Sequence, residues 1–524
     1  MAARRTGMDM SGVGVVGAEG GEARGSGVVE AGGAEVRGGG VVAAGDAGAE
    51  VGGVVAAGGA GAGCGGVVGA GAAEVRGAGA GGGVVAAGAG RRGFAKAVVL
   101  GVGALFGGGG GGGKAVAVGG GWGGRGRAGC VSVGAGAVRG GSVGAGRVGS
   151  GEGVVLELPG AGGGYSVGVA ELYLVDRRRR DPWEGIAVRE VVVSVFYPAG
   201  EVRGLSLARQ FSPAVAGVFG EVMPLVRPGL PRVGANWAGT ATHAYVGAPV
   251  LGGRWPVLVY SPGGGDPRGL GTCVAEELAS WGWVVVCVDH PGDAVAVEFP
   301  GDRVGRERVR TTVFRGDPRA DAGVFRTMVG ARVADVRFVL DELGSFAAGR
   351  GVDAAGRAVP RGFGRALDLR RVGVYGHSAG GTAAAQAMYE DRRIGAAVNW
   401  EGFLDQAPGA SGRPGELLPV ARCGVDRPLL LVGTDGFAGR EELGRSWSAV
   451  RAHSGGRVRQ RRFADAAHWV FTDYAAMVPQ LQTAGLMSAE ARKGLVGSVA
   501  PEVSVPEVRR SVRRFFEGWR LGWW

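Results

Sequence analysis

Apolar residues in the second half of the chain fall into short, nearly unbroken runs that end in glycine, proline or a polar residue. Residues 255–260, 283–288, 371–375, 394–400 and 428–434 are of this kind. Such runs are too short for a helix, and without polar alternation they read as strands buried on both faces. Residues 273–281 and 382–388 between them read as helices. Strands separated by helices predict a mostly parallel central sheet flanked by helices. The tail, with Phe515, Phe516, Trp519, Leu521, Trp523 and Trp524, reads as a closing helix packed on that sheet. Residues 205–250 carry Phe211, Phe219, Met223, Leu225 and Trp237 among Gly and Pro, and read as an insertion able to cap the sheet as a lid. The charged stretch 300–325 reads as a solvated loop.

The first 150 residues follow another pattern. Gly, Ala and Val dominate, and Gly-Val-Val-Ala-Ala-Gly recurs at 40–45, 53–58 and 83–88. With few large apolar side chains before Phe94, this region buries too little surface to offset its ordering entropy, so disorder is expected over a low-complexity segment 1–90. A Gly-rich linker is expected at 118–160 and a folded domain at 161–524.

The candidate chemistry sits at the end of one predicted strand. Gly376-His377-Ser378-Ala379-Gly380-Gly381 follows the run 371–375 and precedes the helix 382–388. Strand, G-x-S-x-G, helix is the context of a nucleophile elbow, in which small flanking residues let the backbone cross itself and raise the Ser378 hydroxyl above the sheet. The alternative in a chain with 113 glycines is an inert Gly-rich turn. A serine nucleophile needs a base, an acid to orient that base, and an oxyanion hole. Two histidines follow Ser378. His453 lies in a polar turn, whereas His468 lies in a late loop ahead of an apolar stretch, where the base belongs. Glu401 and Asp435 each end a predicted strand, and spacing alone leaves both open as the acid. One oxyanion donor is the backbone N–H of Ala379, after the serine; the other comes from Ser261-Pro262-Gly263-Gly264-Gly265, the loop after strand 255–260.

Several of these segments together resemble the platelet-activating factor acetylhydrolase (isoform II) family, in particular its exported bacterial members. They are Leu174-Val175-Asp176 with Asp181-Pro182-Trp183, Val193-Ser194-Val195-Phe196-Tyr197-Pro198-Ala199, 260–266, Val288-Asp289-His290, Val297-Glu298-Phe299-Pro300, the elbow, and His468-Trp469-Val470-Phe471-Thr472-Asp473. The resemblance spans roughly residues 165–520 in order. It implies an α/β-hydrolase fold and a serine esterase that removes short or oxidised acyl chains from phospholipids, with no cofactor and no metal. It also selects Glu401 over Asp435 as the acid, and Gly264 with Ala379 as oxyanion donors. Three positions depart from the family pattern: Glu401 stands where Asp is usual, Pro262 and Gly264 replace a His and a larger residue, and Ala379 replaces an aromatic residue common in animal members. Acyl-chain preference is therefore not inherited. A general carboxylesterase, lipase or polyester hydrolase is the near alternative; a catalytically silent exported binding protein is the alternative of another class.

Charge and targeting change the picture only at its edges. The net charge is +11, with basic clusters at 177–180 and 509–514. Such clusters suit an anionic surface, so peripheral membrane contact, aided by the Trp-rich tail, is one expectation. Nucleic acid is not expected as a partner, because Gly-Arg repeats at 123–127 lack interleaved aromatics. A small-molecule or lipid ester is the expected substrate. Cys64, Cys130, Cys273, Cys287 and Cys423 show no metal-ligand spacing, and Cys273 and Cys287 are expected as packed free thiols. Arg91-Arg92-Gly93-Phe94-Ala95-Lys96, an apolar run at 97–106 and Ala115-Val116-Ala117 match a twin-arginine export signal at 91–117. Export through that signal is expected if translation begins near Val84 or Val85; otherwise the protein is cytoplasmic.

Overall fold

The computed structural model describes residues 153–301, 307–312, 317–407 and 413–523. The Gly/Ala/Val-rich region, the twin-arginine stretch, Cys64 and Cys130 lie outside the described residues. Twelve strands are described: β1 (Val167–Asp176), β2 (Arg189–Pro198), β3 (Leu207–Arg209), β4 (Ala241–Val246), β5 (Trp255–Ser261), β6 (Val284–Asp289), β7 (Ala296–Glu298), β8 (Val309–Thr311), β9 (Leu367–His377), β10 (Ile394–Trp400), β11 (Leu429–Thr434) and β12 (Val458–Phe463). The helices are α1 (Pro213–Val226), α2 (Thr272–Ser280), α3 (Ala322–Ala347), α4 (Phe363–Ala366), α5 (Ala379–Glu390), α6 (Pro419–Cys423), α7 (Arg440–Ala452), α8 (Tyr474–Thr483), α9 (Ala489–Val496) and α10 (Pro501–Arg520).

Ten strands form one sheet in the order β12-β11-β10-β9-β5-β6-β2-β1-β4-β3, and β7 pairs with β8 apart from it. From β12 to β6 every pairing is parallel. Antiparallel pairing begins where β2 meets β6 and β1 meets β2. This is the α/β-hydrolase architecture expected from the alternation of apolar runs and helices.

Alternation within each strand feeds two cores. In β5, Val257 and Val259 face a cluster with α3 and α5, whereas Leu258 and Tyr260 face one with α2 and α10. Both faces of β5 are thus covered, which is why Val257, Leu258 and Val259 in its middle are all apolar. The tail packs as expected: Val505, Val508, Val512, Phe515 and Phe516 of α10 are buried on the second face. Beyond it, Leu521 and Trp523 are exposed. No helix among the described residues is long and apolar enough to cross a membrane. Cys273 and Cys287 are buried free thiols.

The structure corrects three readings of the flanks. Residues 205–250 are not a detached cap: β3 and β4 extend the sheet, and Phe211, Phe219, Met223 and Trp237 share a core with Tyr474, Met477, Val478 and Leu481 of α8. The linker does not run to 160, because Leu156 and Leu158 are buried in that same core. The stretch 300–325 is only partly described, but Arg319 within it is not solvated. Its guanidinium lies 3.9 Å from the centroid of Phe403 and donates to the Asp405 carbonyl at 2.6 Å. Each error has one cause: the partner that buries the residue is distant in sequence.

Phe516 is fully buried between Tyr375 of β9 and Trp283. Phe516→Ala removes a large apolar side chain from an unyielding site and is expected to cost about 3 to 5 kcal/mol. Urea unfolding should show a lower midpoint with an unchanged slope.

Candidate active site

Ser378 joins β9 to α5 with φ 53° and ψ −121°, a conformation that L-residues rarely adopt. The strain, about 1 to 2 kcal/mol, is held by close packing on every side. A Cβ on Gly376 would lie 2.3 Å from the carbonyl of Gly380, and one on Gly380 only 1.9 Å from the Ser261 carbonyl oxygen. The Ser378 amide donates to Trp400 O at 2.7 Å. The elbow therefore touches both neighbouring strands, as the small residues of the motif require. The Ser378 hydroxyl is buried and makes no hydrogen bond among the described residues.

Glu401 follows β10, also with φ 53°. Asn399 fixes this turn from both sides: its Oδ1 accepts from Gly402 N at 2.6 Å and its Nδ2 donates to Gly402 O at 3.0 Å. His468 opens a short 3-10 turn after β12 and is 4% exposed. The His468 Nδ1–H donates to Glu401 Oε2 at 2.8 Å. The other carboxylate oxygen, Oε1, accepts from the Thr434 amide and from its hydroxyl at 2.7 Å. The structure thus brings Glu401 to His468. Asp435 is 42% exposed and pairs with Arg462 at 3.5 Å instead. His453 is exposed at the end of α7, as its polar turn suggested.

Burial dominates the electrostatics of the pair. It pushes the Glu401 carboxyl up to about 7, against the Thr434 hydroxyl and amide, which favour the ion. It also holds the His468 imidazole well below its usual range, helped by the neighbouring His377 and Arg227. Phe437 stacks on the His468 ring at 4.5 Å and 16°. His377, directly before Ser378, donates from Nε2 to the His468 carbonyl at 2.8 Å, tying the loop of His468 to the elbow.

The loop after β5 lies across from the elbow. Among the described residues the Gly264 backbone N–H donates to no backbone carbonyl, and Ala379 opens α5, where the first N–H groups of a helix have no intrahelical partner. A narrow crevice beside Ser378 is lined by Pro318, Arg319, Phe325, Met328, Ala379, Thr382 and Phe403. Among the described residues no group of three or more His, Cys, Asp or Glu side chains stands where it could hold a metal ion.

Sequence reasoning missed Asn399, Thr434, His377, Phe437 and Arg319. Only His377 carried a local signal, its place within the elbow; the others come to the site from separate strands and loops.

Comparison with known proteins follows the same lines. The model of the family described as "Platelet-activating factor acetylhydrolase, isoform II" matches residues 156–406, a span that includes Ser378 and Glu401 but stops before His468. A protein of Arthroderma benhamiae named "Probable 1-alkyl-2-acetylglycerophosphocholine esterase" is 24% identical over 268 residues, 50% of this chain and 60% of its own length. The chain thus spans less than two thirds of that curated relative. Among solved structures, a ferulic acid esterase from Streptomyces cinnamoneus is 31% identical with a TM-score of 0.53, covering 70% of this chain and 93% of its own.

The Thr434 hydroxyl favours the ionised form of Glu401, so its removal must raise the carboxyl's midpoint. In Thr434→Val the Glu401 carboxyl, followed by 13C NMR against pH, is expected to titrate above the parent's midpoint near 7.

Proposed function

From the match of residues 156–406 to the platelet-activating factor acetylhydrolase (isoform II) family model, we propose that the chain is a serine ester hydrolase acting through Ser378, His468 and Glu401. The observation that carries the reading is the Glu401–His468 hydrogen bond at 2.8 Å beside a serine held in an elbow. Ser378 attacks the ester carbonyl and His468 takes its proton. The Glu401 carboxylate keeps the proton of His468 on Nδ1, leaving Nε2 as the base, and stabilises the imidazolium that forms. The N–H groups of Gly264 and Ala379 receive the oxyanion, each worth about 3 kcal/mol in comparable sites. His468 then protonates the leaving alcohol, and a water deacylates Ser378 by the same route.

The crevice beside Ser378 is narrow, with room for about one water, and this tightness favours the shortest acyl groups, as in acetyl esters of glycerophospholipid type. A second reading, an ester of an aromatic acid, is supported by Phe325 and Phe403 in that crevice and by the likeness to the ferulic acid esterase. Export through the twin-arginine stretch remains part of the proposal, as does contact with a membrane surface.

A 4-nitrophenyl acyl series from acetate to palmitate, with methyl ferulate beside it, separates these readings. Hydrolysis is expected to peak at the shortest chains. Ser378→Ala should lose about 10⁴-fold or more in kcat, Glu401→Gln about 10²- to 10⁴-fold, and Asp435→Asn nothing. A folded protein inactive on every ester would favour a silent binding role.

The pH profile follows from the same pair. Catalysis needs Glu401 ionised and His468 neutral, and burial holds the His468 imidazole well below its usual range. The acid limb is therefore set by Glu401: kcat/KM should rise with pH through about 7. Thr434→Val should move that limb upward, and Glu401→Gln should abolish it along with most of the rate.

A further inference from the structure

A buried arginine adjoins the proposed oxyanion loop and takes no part in the mechanism above. Arg332, in the middle of α3, is 1% exposed. One terminal nitrogen donates to the Pro262 carbonyl at 2.5 Å and to Ser261 Oγ at 3.2 Å; the other donates to the Gly263 carbonyl at 3.0 Å. Its Nε pairs with Asp293 at 2.5 Å, and Asp293 accepts in turn from the Gly265 amide at 3.1 Å. A single guanidinium thus grips two successive carbonyls of the loop directly and a third peptide through Asp293.

The covalent geometry of the peptide gives this grip a consequence. In a trans peptide the C=O of one residue and the N–H of the next lie antiparallel in one plane. The Gly263 carbonyl and the Gly264 N–H belong to the same plane. A cation bound to that carbonyl fixes where the Gly264 N–H points, away from the guanidinium. It also draws electron density through the amide and so strengthens the N–H as a donor. The Asp266 amide donates to the same Gly263 carbonyl at 3.1 Å, so Arg332 adds a charged donor to a turn whose glycines are conformationally permissive.

The partner of Arg332 is itself held in place. The Ser261 hydroxyl meets His290 Nε2 at 2.9 Å, and His290 Nδ1 meets Asp335 Oδ2 at 3.0 Å. Asp335 accepts twice from Arg189, at 3.1 and 2.7 Å. Ser261, His290 and Asp335 have the bonding order of a catalytic triad, but the serine oxygen already faces the Arg332 guanidinium at 3.2 Å. With the Ser261 O–H donating to His290 Nε2, the Ser261 oxygen is left as an acceptor toward Arg332. Burial and the Arg332 charge both hold His290 below its usual range, in keeping with a neutral ring that accepts at Nε2.

We propose that Arg332 is a positioning residue for the oxyanion hole, setting the direction and donor strength of the Gly264 N–H through the Gly263 carbonyl. The inference rests on the esterase reading and on the role given there to Gly264.

The test compares the full-length parent with Arg332→Gln, Arg332→Lys and Ser261→Ala. It reads kcat and KM on 4-nitrophenyl acetate, and the inhibition constant of a trifluoromethyl ketone. Addition of Ser378 Oγ to the ketone, with its proton passing to His468, forms a tetrahedral oxyanion, so this inhibitor reports on the hole while KM does not. Far-UV circular dichroism and the melting temperature monitor folding. In Arg332→Gln, kcat is expected to fall about ten- to a hundredfold, with KM within about threefold and the ketone weakened by the same factor as kcat. Arg332→Lys keeps the charge but reaches one carbonyl, and should recover part of the loss; Ser261→Ala should lose severalfold. A folded Arg332→Gln with parental kcat, or ketone affinity unchanged while kcat falls, overturns the inference. Should Arg332→Gln fail to fold, Arg332→Lys decides: parental kcat and ketone affinity overturn it. An inactive parent sinks the esterase reading and this inference together, whereas an active parent with indifferent variants sinks this inference alone.

Discussion

The site depends on the approach of two backbones at the centre of the sheet. Gly380 of the elbow lies so close to the Ser261 carbonyl that a Cβ there would stand 1.9 Å away. That contact joins the end of β9 to the end of β5, and with it Ser378 to the loop that carries Gly264. Parallel pairing across β5, β9 and β10 sets all three strand ends at one edge of the sheet. The left-handed backbone at Ser378 and Glu401 is the local cost of turning both side chains out of that edge. Packing on either side meets this cost, through α5 against the first core and Asn399 clamping the acid's turn.

Electrostatics refine what the backbone arranges. Desolvation alone drives both members of the Glu401–His468 pair toward neutrality. Two donors from Thr434 and one from His468 counter this at the carboxylate. Glu401 reaches from the end of β10 to the His468 ring, which rests against Phe437. Asp435 lacks that enclosure and is engaged with surface arginines.

Much of this was legible because short-range rules fix it. The runs that became β5, β6, β9, β10 and β11 needed no distant partner to be recognised, and the elbow announced itself by its glycines. His468 stood out as a histidine in an apolar late loop. The choice between Glu401 and Asp435 was not legible from spacing, since both end a buried strand and only the tertiary position of His468 separates them. Nor could Arg332 be read as part of the site: on α3 it looks like any helical arginine until Pro262 and Gly263, some seventy residues earlier, are folded against it. The lid reading of 205–250 failed for the same reason, because its aromatic residues pack on α8, more than two hundred residues later. Local pattern revealed where chemistry could occur; which groups orient and polarise it depends on contacts between segments far apart in sequence.

The central claim is that Ser378 is a nucleophile activated by His468 and Glu401. The most direct measurement is the rate at which a fluorophosphonate labels the protein, with the labelled residue located by peptide mass spectrometry. The account predicts one adduct, on Ser378, formed far more slowly when Glu401 is Gln and at the parental rate when Asp435 is Asn. Labelling of another residue, or no labelling of a folded protein, would contradict it.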